Sequence, residues 1–591
     1  MLMSPNTATA SGPTETASGE PSMRPGKHCP DSACRETALA RQATLAMNGG
    51  NLDGPSLRML LAVSATIVIA NFLIGIFAPI TTGLDDEIAF FDTLWRIVAG
   101  QRFGIDYHTY GFGPYQVGAL LWHWLGPHYF VMRISIALFC LAIAACGCIV
   151  TKRRLAHRPV LAWLFCVTLA FQVSSPSIYP DDTALSIAGF YNRLANTTLA
   201  ILFLHTFGGE QQSRSRNVTD VALTAVLLNI LFLTKISGLA VGFVIFFAGC
   251  LLQRLTFLRI LSLCVALFAF VAMTVAELKI AGIEYLSLMQ DYELAARARL
   301  TYSFYHLAKT LAFFPFASSV ALLLFLAVAH AMGERRVEAL RICLLIGSYA
   351  VCQFALNITT DLGGSIWLAP AAVASLAGWP GAEPMARPAD VLDRKRPTFS
   401  FSRLTEISLR DAIPFLIFAW VLIPQVVGSL VGLFVGSLVS LGIESSYVVG
   451  QGKGIKFTVL EFPRAGVGEY ESSLNDAASA IASLNLDRQV IANLDFPNPF
   501  PVLFLAPPPK GVHAWFFWGF IMPRGTVLQW QAIIGDACVV TMPTRPISPR
   551  IADPVAEMVR PKLAVDFKTV YRDDLWTIYR RTEDCTTVPG P

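Results

Sequence analysis

Apolar stretches of about 20 residues recur along this chain and constrain its fold more than any other feature. A helix of that length crosses the hydrocarbon core of a bilayer. The sequence therefore predicts an α-helical polytopic membrane protein. We expect eleven spans, over about 57–80, 128–150, 159–175, 187–207, 218–234, 237–253, 258–277, 305–331, 340–357, 364–380 and 412–442.

Composition agrees with this class of protein and excludes others. Of the 591 residues, 54% are hydrophobic and only 15% are charged, whereas soluble domains carry about 25% charge. This excludes a soluble enzyme, a disordered hub and a disulfide scaffold. The net charge of +4 is small for this length, and no basic face with interleaved aromatic residues is present. We therefore expect no nucleic-acid partner.

Basic residues set the expected orientation. If the N-terminus is cytoplasmic, every second connection between spans is basic, which is the positive-inside rule. An odd number of spans then places the C-terminus outside, so we expect a multi-pass protein of a bacterial inner membrane. The basic residues are Lys152, Arg153, Arg154 and Arg158, then Arg214 and Arg216, Arg254 and Arg259, Arg335, Arg336 and Arg341, and those of the 381–411 loop.

Three regions follow from these patterns. Residues 1–56 are rich in Ser, Thr, Gly and Pro and predict a disordered cytoplasmic tail. Residues 57–442 form the membrane region, whose first outer loop, 81–127, is too long to be a simple connector. Residues 446–591 predict a periplasmic α/β domain.

The predicted α/β domain alternates strand-like and helical patterns. Its strand-like runs are Lys456–Phe462, Gln489–Asp495, Val502–Ala506 and Ala537–Met542, with a helical stretch near Glu469–Leu484. Phe567–Arg581 is apolar on both sides of Arg572-Asp573-Asp574, which is typical of a hairpin. In an oxidising periplasm Cys538 and Cys585 either form a disulfide or remain two separate thiols.

The first outer loop opens with three consecutive carboxylates, Asp85, Asp86 and Glu87. One interpretation is a solvated cap at the membrane boundary. An amphipathic helix follows over Ile88–Gly100, and its polar stripe of Asp92 and Arg96 has i,i+4 spacing. Such a helix is expected to lie along the membrane interface.

An aromatic and glycine-rich segment completes this loop, with Asp106-Tyr107 followed by Tyr110-Gly111-Phe112-Gly113-Pro114. The chain thus runs from a span to an acidic pair, then to an interfacial helix ending in Gly, and then to Asp-Tyr and Gly-Pro. This order resembles the first outer loop of the C-type (GT-C) glycosyltransferase superfamily. Its members include protein O-mannosyltransferases and aminoarabinose transferases, which take sugars from polyprenyl-phosphate donors. The motif covers Asp85–Pro114, and the topology extends the resemblance loosely over the chain.

The resemblance implies roles for the acidic residues. In that superfamily the first-loop Asp is the catalytic base or holds a metal ion near the acceptor. Here that implies Asp86 with Glu87, or Asp85 with Asp86 in a register one residue earlier. A carboxylate suits the chemistry, because the acceptor hydroxyl must lose its proton as it attacks the anomeric carbon. A divalent metal ion stays an open alternative.

A second acidic pair, Asp181 and Asp182, falls in the next outer loop. Related transferases place an acidic residue of this loop near the first, so the pair is a candidate for orienting the acceptor or a metal ion. The alternative is an ordinary solvated turn, for which Pro-Asp-Asp is favourable.

Two cations are candidates for binding the donor phosphate. Lys235 lies in Thr234–Gly238, which is similar to a Thr-Lys-Tyr-like phosphate-binding element of these transferases; a snorkelling anchor is the alternative. Arg193 lies inside a span near its outer end, where a charged residue is a functional candidate by default. Asp181 and Asp182 are the nearest partners with which it could instead pair.

The resemblance implies a hexosyl- or pentosyltransferase that moves a sugar from a polyprenyl-phosphate donor to a glycan, lipid or protein acceptor at the outer membrane face. Two alternatives stay open: a secondary transporter, or a non-catalytic partner in envelope polysaccharide assembly. No Walker loop, dinucleotide fingerprint or His-Glu-x-x-His motif is present.

Overall fold

The structure is a computed structural model, and the chain from Gly54 to Pro591 forms one compact unit within it. The predicted tail, 1–56, lies almost wholly outside the described residues. Those residues are 55–77, 80, 84–108, 113–156, 158–175, 190–208, 216–252, 257–294, 296–298, 345–349, 368–377, 409–442, 446–450, 454–460, 467–516, 518, 522–523, 525–583 and 585.

The membrane region is a bundle of helices that follows the predicted spans closely. Its described helices are α1 (Leu57–Phe77), α2 (Leu84–Val98), α3 (Gly113–Leu125), α4 (Phe130–Arg154), α5 (Pro159–Ser174), α6 (Phe190–Phe207), α7 (Arg216–Thr234), α8 (Ile236–Leu252), α9 (Phe257–Ala281), α10 (Ala369–Ala377) and α11 (Leu409–Ser440).

Four of the described helices are long and apolar enough to cross a membrane, namely Leu57–Ile76, Phe130–Arg154, Ile260–Ala281 and Leu416–Ser440. Three shorter apolar helices cover Pro159–Ser174, Val218–Thr234 and Ile236–Leu251. The predicted spans 305–331 and most of 340–357 lie outside the described residues. The total of eleven spans therefore stays a prediction.

Helix α6 lies at the centre of the bundle. Nearly every side chain along it is buried, and it contacts α4, α5, α7, α8 and α10. Its polar residues, among them Asn196, Thr197 and Thr198, are buried together with its apolar ones. Its first turn carries Tyr191 and Asn192, which are partly exposed, and Arg193, which is buried.

The segment after α1 differs from the prediction in two ways. Helix α2 begins at Leu84 rather than Ile88, so the three carboxylates form its first turn, where the helix dipole favours negative charge. Its polar stripe of Asp92 and Arg96 is buried and does not face water as an interfacial helix would present it. The burial of the stripe could not be predicted from the local sequence, because its partners lie about 400 residues further along the chain.

The C-terminal segment contains a four-stranded sheet, whose strands lie in the order β4 (Ile491–Asn493), β6 (Val539–Pro543), β8 (Trp576–Arg581) and β7 (Phe567–Arg572). Strands β4 and β6 run parallel, whereas β6–β8 and β8–β7 are antiparallel. Strand β1 (Tyr107–His108) lies earlier in the chain, between α2 and α3. The other elements of the C-terminal segment are β2 (Ser446–Val449), β3 (Phe457–Leu460), α12 (Val467–Ser483), α13 (Phe500–Phe504), β5 (Val512–His513), α14 (Gln531–Ile534) and α15 (Pro549–Asp566).

The predicted hairpin is confirmed as β7 and β8, whose turn is held by Asp573 accepting the backbone N–H groups of Leu575 and Trp576. The predicted strand over Val502–Ala506 is wrong, because this stretch belongs largely to helix α13. Helical spacing stacks Phe500 on Phe504, and Phe500 also packs edge-on against Trp576. A short apolar run has no period that separates strand from helix.

Backbone hydrogen bonds join the C-terminal segment to the segment between α1 and α3. Strands β1 and β5 pair in parallel, and the N–H of Ala514 donates to the carbonyl of His108. The N–H of Gly511 donates to Asp106, and that of Ile80 to Thr458. Helix α2 is thus fixed from both sides, by the bundle and by the C-terminal segment.

Cys538 and Cys585 form a disulfide that closes a loop of 47 residues around the sheet, with Cα atoms 5.9 Å apart. We expect the double change Cys538→Ser and Cys585→Ser to destabilise the C-terminal segment by about 4 kcal/mol, because the open loop gains entropy when unfolded. Limited proteolysis during heating measures this. Cys264→Ser, which removes an exposed free thiol, is the control. Equal resistance of all three proteins would contradict the prediction.

Candidate functional site

Three consecutive carboxylates on a helix point in three directions, because successive residues are about 100° apart. Asp85, Asp86 and Glu87 therefore face different neighbours, although their charges still repel one another. Residues four apart share a helix face. The contacts of Phe90 therefore indicate what Asp86 faces, and those of Phe91 indicate what Glu87 faces.

Glu87 faces the start of α4. It is fully buried and lies 3.6 Å from the guanidinium of Arg133, measured from Oε1 to Nη2. One turn later Phe91 stacks on Tyr129, and Arg133 donates a hydrogen bond to the hydroxyl of Tyr129. This environment makes Glu87 a counter-ion of Arg133. Glu87 is therefore buried and already engaged by a cation.

Asp86 faces α3 and α6. Phe90, one turn later, packs against Tyr115 and Tyr191, each with ring centroids 6.4 Å away. Burial raises the pKa of Asp86 well above its usual range, and the neighbouring Asp85 and Glu87 carboxylates raise it further. Asp86 nevertheless keeps part of its surface exposed. A reachable carboxylate with a raised pKa suits general base catalysis, which works best when the pKa is near the working pH.

Tyr115 and Tyr191 connect Asp86 to Lys235. Burial raises the pKa of Tyr115, and the nearby Tyr191, Tyr107 and Asp86 raise it further. The ammonium of Lys235 lies 5.6 Å from the ring centroid of Tyr191. The tyrosine pair is therefore bordered by a carboxylate and by an ammonium group.

Lys235 occupies the junction between α7 and α8, where its Nζ donates a 2.6 Å hydrogen bond to Oδ1 of Asn192. This junction lies near α3, because α3 and α7 approach each other closely at Gly113 and Leu233. A Cβ added to Gly113 would be only 2.8 Å from Cβ of Leu233, so only glycine fits there. Lys235 is partly exposed. It therefore combines a fixed position with access to a ligand.

Asp85 faces the C-terminal segment. Its carboxylate contributes to raising the pKa of Tyr470 and that of Asp495. Burial is the main reason that the pKa of Asp495 rises to about 6. The backbone N–H groups of Ile547 and Phe496 donate to its carboxylate and partly offset this rise. Asp85 thus lies at the junction between α2 and the C-terminal segment.

Helix α2 is held against the C-terminal segment by its buried polar stripe. Arg96 binds Asp92 at 2.8 Å and donates to the carbonyl of Pro509. Gln101 donates to the carbonyl of Pro508, and the indole of Trp95 donates to Ala506. Three backbone carbonyls of one loop therefore fix the helix that carries the acidic residues.

Breaking this buried ion pair should destabilise the protein. We expect Arg96→Met to cost about 3–5 kcal/mol, because Asp92 is left as a buried charge without its partner. The midpoint of thermal unfolding measures the loss. Arg297→Met removes a comparable i,i+4 pair that is mostly exposed and should leave the midpoint nearly unchanged. Equal shifts in both variants would contradict the assignment.

A second polar group was not predicted from the sequence. Nδ1 of His108 lies 2.9 Å from Asp291, and the rings of His108 and His513 are 5.0 Å apart. Burial lowers the pKa of His513 to about 4, and His108 lowers it further. These residues are far apart in sequence, so no spacing pattern could have indicated that they meet.

The predicted phosphate ligands are not brought together. Arg193 follows Asn192, which binds Lys235, but its guanidinium turns the other way and donates to the carbonyl of Ser175. Asp181 and Asp182 lie outside the described residues, so their predicted roles stay predictions.

The described residues contain no group of three or more His, Cys, Asp or Glu side chains that could hold a metal ion. The metal ion therefore remains an expectation of the resemblance, and no chemical step below depends on it.

No protein-family model matches the chain, and no curated protein matches it in sequence. The solved structures similar to it include two of the aminoarabinose transferase ArnT from Cupriavidus metallidurans. One contains bound undecaprenyl phosphate and the other is the apo state. Each match covers 88% of this chain and 97% of the ArnT chain at 13% identity, with TM-scores of 0.47 and 0.48. At this distance no residue role passes from ArnT to this chain.

Proposed function

We propose that this protein is a membrane glycosyltransferase that moves a sugar from a polyprenyl-phosphate donor to a hydroxyl acceptor. The observation that carries the proposal is the placement of Asp86 and Lys235 on the borders of one tyrosine pair, Tyr115 and Tyr191. Transfer from a phosphate-linked donor needs a base for the acceptor and a cation for the leaving group. The site contains one of each.

In the proposed reaction the acceptor oxygen attacks the anomeric carbon while Asp86 takes the hydroxyl proton. The bond between the anomeric carbon and the phosphate oxygen breaks, and its electron pair stays on the phosphate. The ammonium of Lys235 stabilises the charge that develops there. Because the phosphate is already a good leaving group, no second carboxylic acid is needed, and the configuration of the sugar inverts.

The proposed location is the outer face of a bacterial inner membrane. The alternation of basic connections supports this orientation. The disulfide supports it as well, since disulfides persist in oxidising compartments. A reporter fused after residue 460 should then give a periplasmic signal, and a cytoplasmic signal would overturn the orientation. The acceptor expected here is an envelope glycan, a glycolipid or a protein.

Mass spectrometry of envelope glycans and glycolipids, from cells with and without this protein, tests the proposal. We expect one sugar modification to disappear and a polyprenyl-phosphate sugar to accumulate. If neither the glycans nor the amount of polyprenyl-phosphate sugar changes, the proposed function and the proposed donor are both wrong.

The transporter alternative depends on polar groups inside the bundle. Asn229 of α7 donates a 2.8 Å hydrogen bond to Glu277 of α9, which is the arrangement that favours this alternative. Uptake or efflux by reconstituted vesicles would support it. The second alternative, a non-catalytic partner in polysaccharide assembly, predicts that Asp86 and Lys235 can be changed without effect.

A further inference from the structure

The ends of four helices, α1, α4, α5 and α6, enclose a cavity of about 50 Å³. Gly75 lies two residues before the end of α1, Ser174 ends α5, and Arg133 and Arg193 lie in the first turns of α4 and α6. The cavity is therefore within one helical turn of the same end of the bundle. This is the end at which the chain leaves α1 for α2, and lipid head groups are expected at the end of a span.

Two guanidinium groups line this cavity, and both arginines are only 5% exposed. Arg133 has Glu87 as its counter-ion, whereas Arg193 donates to the uncharged carbonyl of Ser175. None of the described residues that line the cavity is acidic. Two buried cations beside one carboxylate leave an excess positive charge, which is costly to bury unless an anion neutralises it.

The size of the cavity limits the anion. A water molecule needs roughly 10–15 Å³ of such space, so the cavity holds the equivalent of a few waters. A phosphate group fits this space. Guanidinium forks match phosphate oxygens with paired hydrogen bonds. Apolar side chains form the rest of the wall, as expected where hydrocarbon chains approach: Val68, Phe72, Ile136, Ala137, Cys140 and Val173.

We propose that this cavity binds the phosphate group of a membrane lipid between Arg133 and Arg193. The site is distinct from Lys235, because Asn192 and Arg193 leave α6 in different directions. Arg133 also contacts Glu87 in the first turn of α2. A bound phosphate would therefore hold the arginine that fixes the acidic helix, which links lipid binding to the position of Asp86.

Binding of phosphatidic acid to the purified full-length protein in detergent, followed by native mass spectrometry, tests the proposal. We expect Arg193→Gln to weaken binding by a factor of roughly 10 or more, since hydrogen bonds to a charged group are lost. Diacylglycerol, which has the same tails without phosphate, should not compete. Inorganic phosphate should compete only weakly. Competition by inorganic phosphate as effective as that by the lipid would overturn the lipid as the source of the phosphate.

Two further variants keep the test independent of folding and of transfer activity. Ala137→Leu narrows the cavity from a partly exposed position, leaves both arginines in place and should also weaken binding. Arg153→Gln removes a cation paired with Asp220 at the other end of α4, and should bind phosphatidic acid like wild type. Unchanged binding in Arg193→Gln and Ala137→Leu, or an equal loss in Arg153→Gln, would overturn the proposal.

Discussion

Asp86→Asn should reduce sugar transfer by a factor of roughly 10²–10⁴ without unfolding the protein. The amide has nearly the shape of the carboxylate but cannot accept the acceptor's proton. Folding should be preserved because Asp86 is partly exposed and lies between two other carboxylates, so that removing its charge relieves repulsion. A transfer assay with purified protein and a synthetic polyprenyl-phosphate sugar, beside a thermal unfolding curve, measures both effects.

The neighbouring acids are the matched controls for this change. Glu87→Gln should lower the midpoint of thermal unfolding, because it leaves Arg133 buried without its counter-ion, a loss of about 3–5 kcal/mol. Asp85→Asn should keep most of the activity, since its side chain faces the C-terminal segment. Wild-type turnover in all three variants would show that the base is not in the first turn of α2.

The bundle could be predicted from the sequence because its signal is local. Apolar runs mark the helices, and most described helices start and end within a few residues of the predicted spans. The hairpin was predictable for the same reason, since alternation around Arg572-Asp573-Asp574 needs no distant partner.

The different surroundings of the three acidic residues could not be predicted from the sequence. They depend on α2 beginning at Leu84, which sets the direction of each carboxylate by rotation about the helix axis. Three consecutive acidic residues in a sequence do not show where the helix begins, and so do not show which way each side chain points. Arg133, the partner of Glu87, was missed because an arginine at the start of an apolar run resembles an ordinary boundary residue.

The polar stripe of α2 shows the same limit. Asp92 and Arg96 at i,i+4 are equally consistent with a wet surface and with a buried ion pair. Which of the two holds is decided by carbonyls at Pro508 and Pro509, which only the folded chain brings to α2. Long-range docking of this kind leaves no trace in local periodicity.

Lys235→Ala should reduce turnover by a factor of roughly 10²–10³, the usual effect of removing one group that stabilises charge developing in a transition state. As the bond to the sugar breaks, the donor phosphate gains negative charge, so a fixed ammonium favours the transition state over the bound donor. The structure fixes this ammonium through Asn192 and keeps it partly exposed beside Tyr191.

Comparison of three variants in the same transfer assay separates this role from anchoring. Lys235→Arg should recover only part of the activity, because the planar guanidinium is larger and places its charge differently. Lys152→Ala removes a lysine from the opposite end of the bundle, in the last turn of α4, and should behave like wild type. Full activity of Lys235→Ala, or a loss explained entirely by unfolding, would make Lys235 a membrane anchor. Another cation would then have to stabilise the leaving phosphate, and the same assay on Arg193→Gln tests the other predicted candidate.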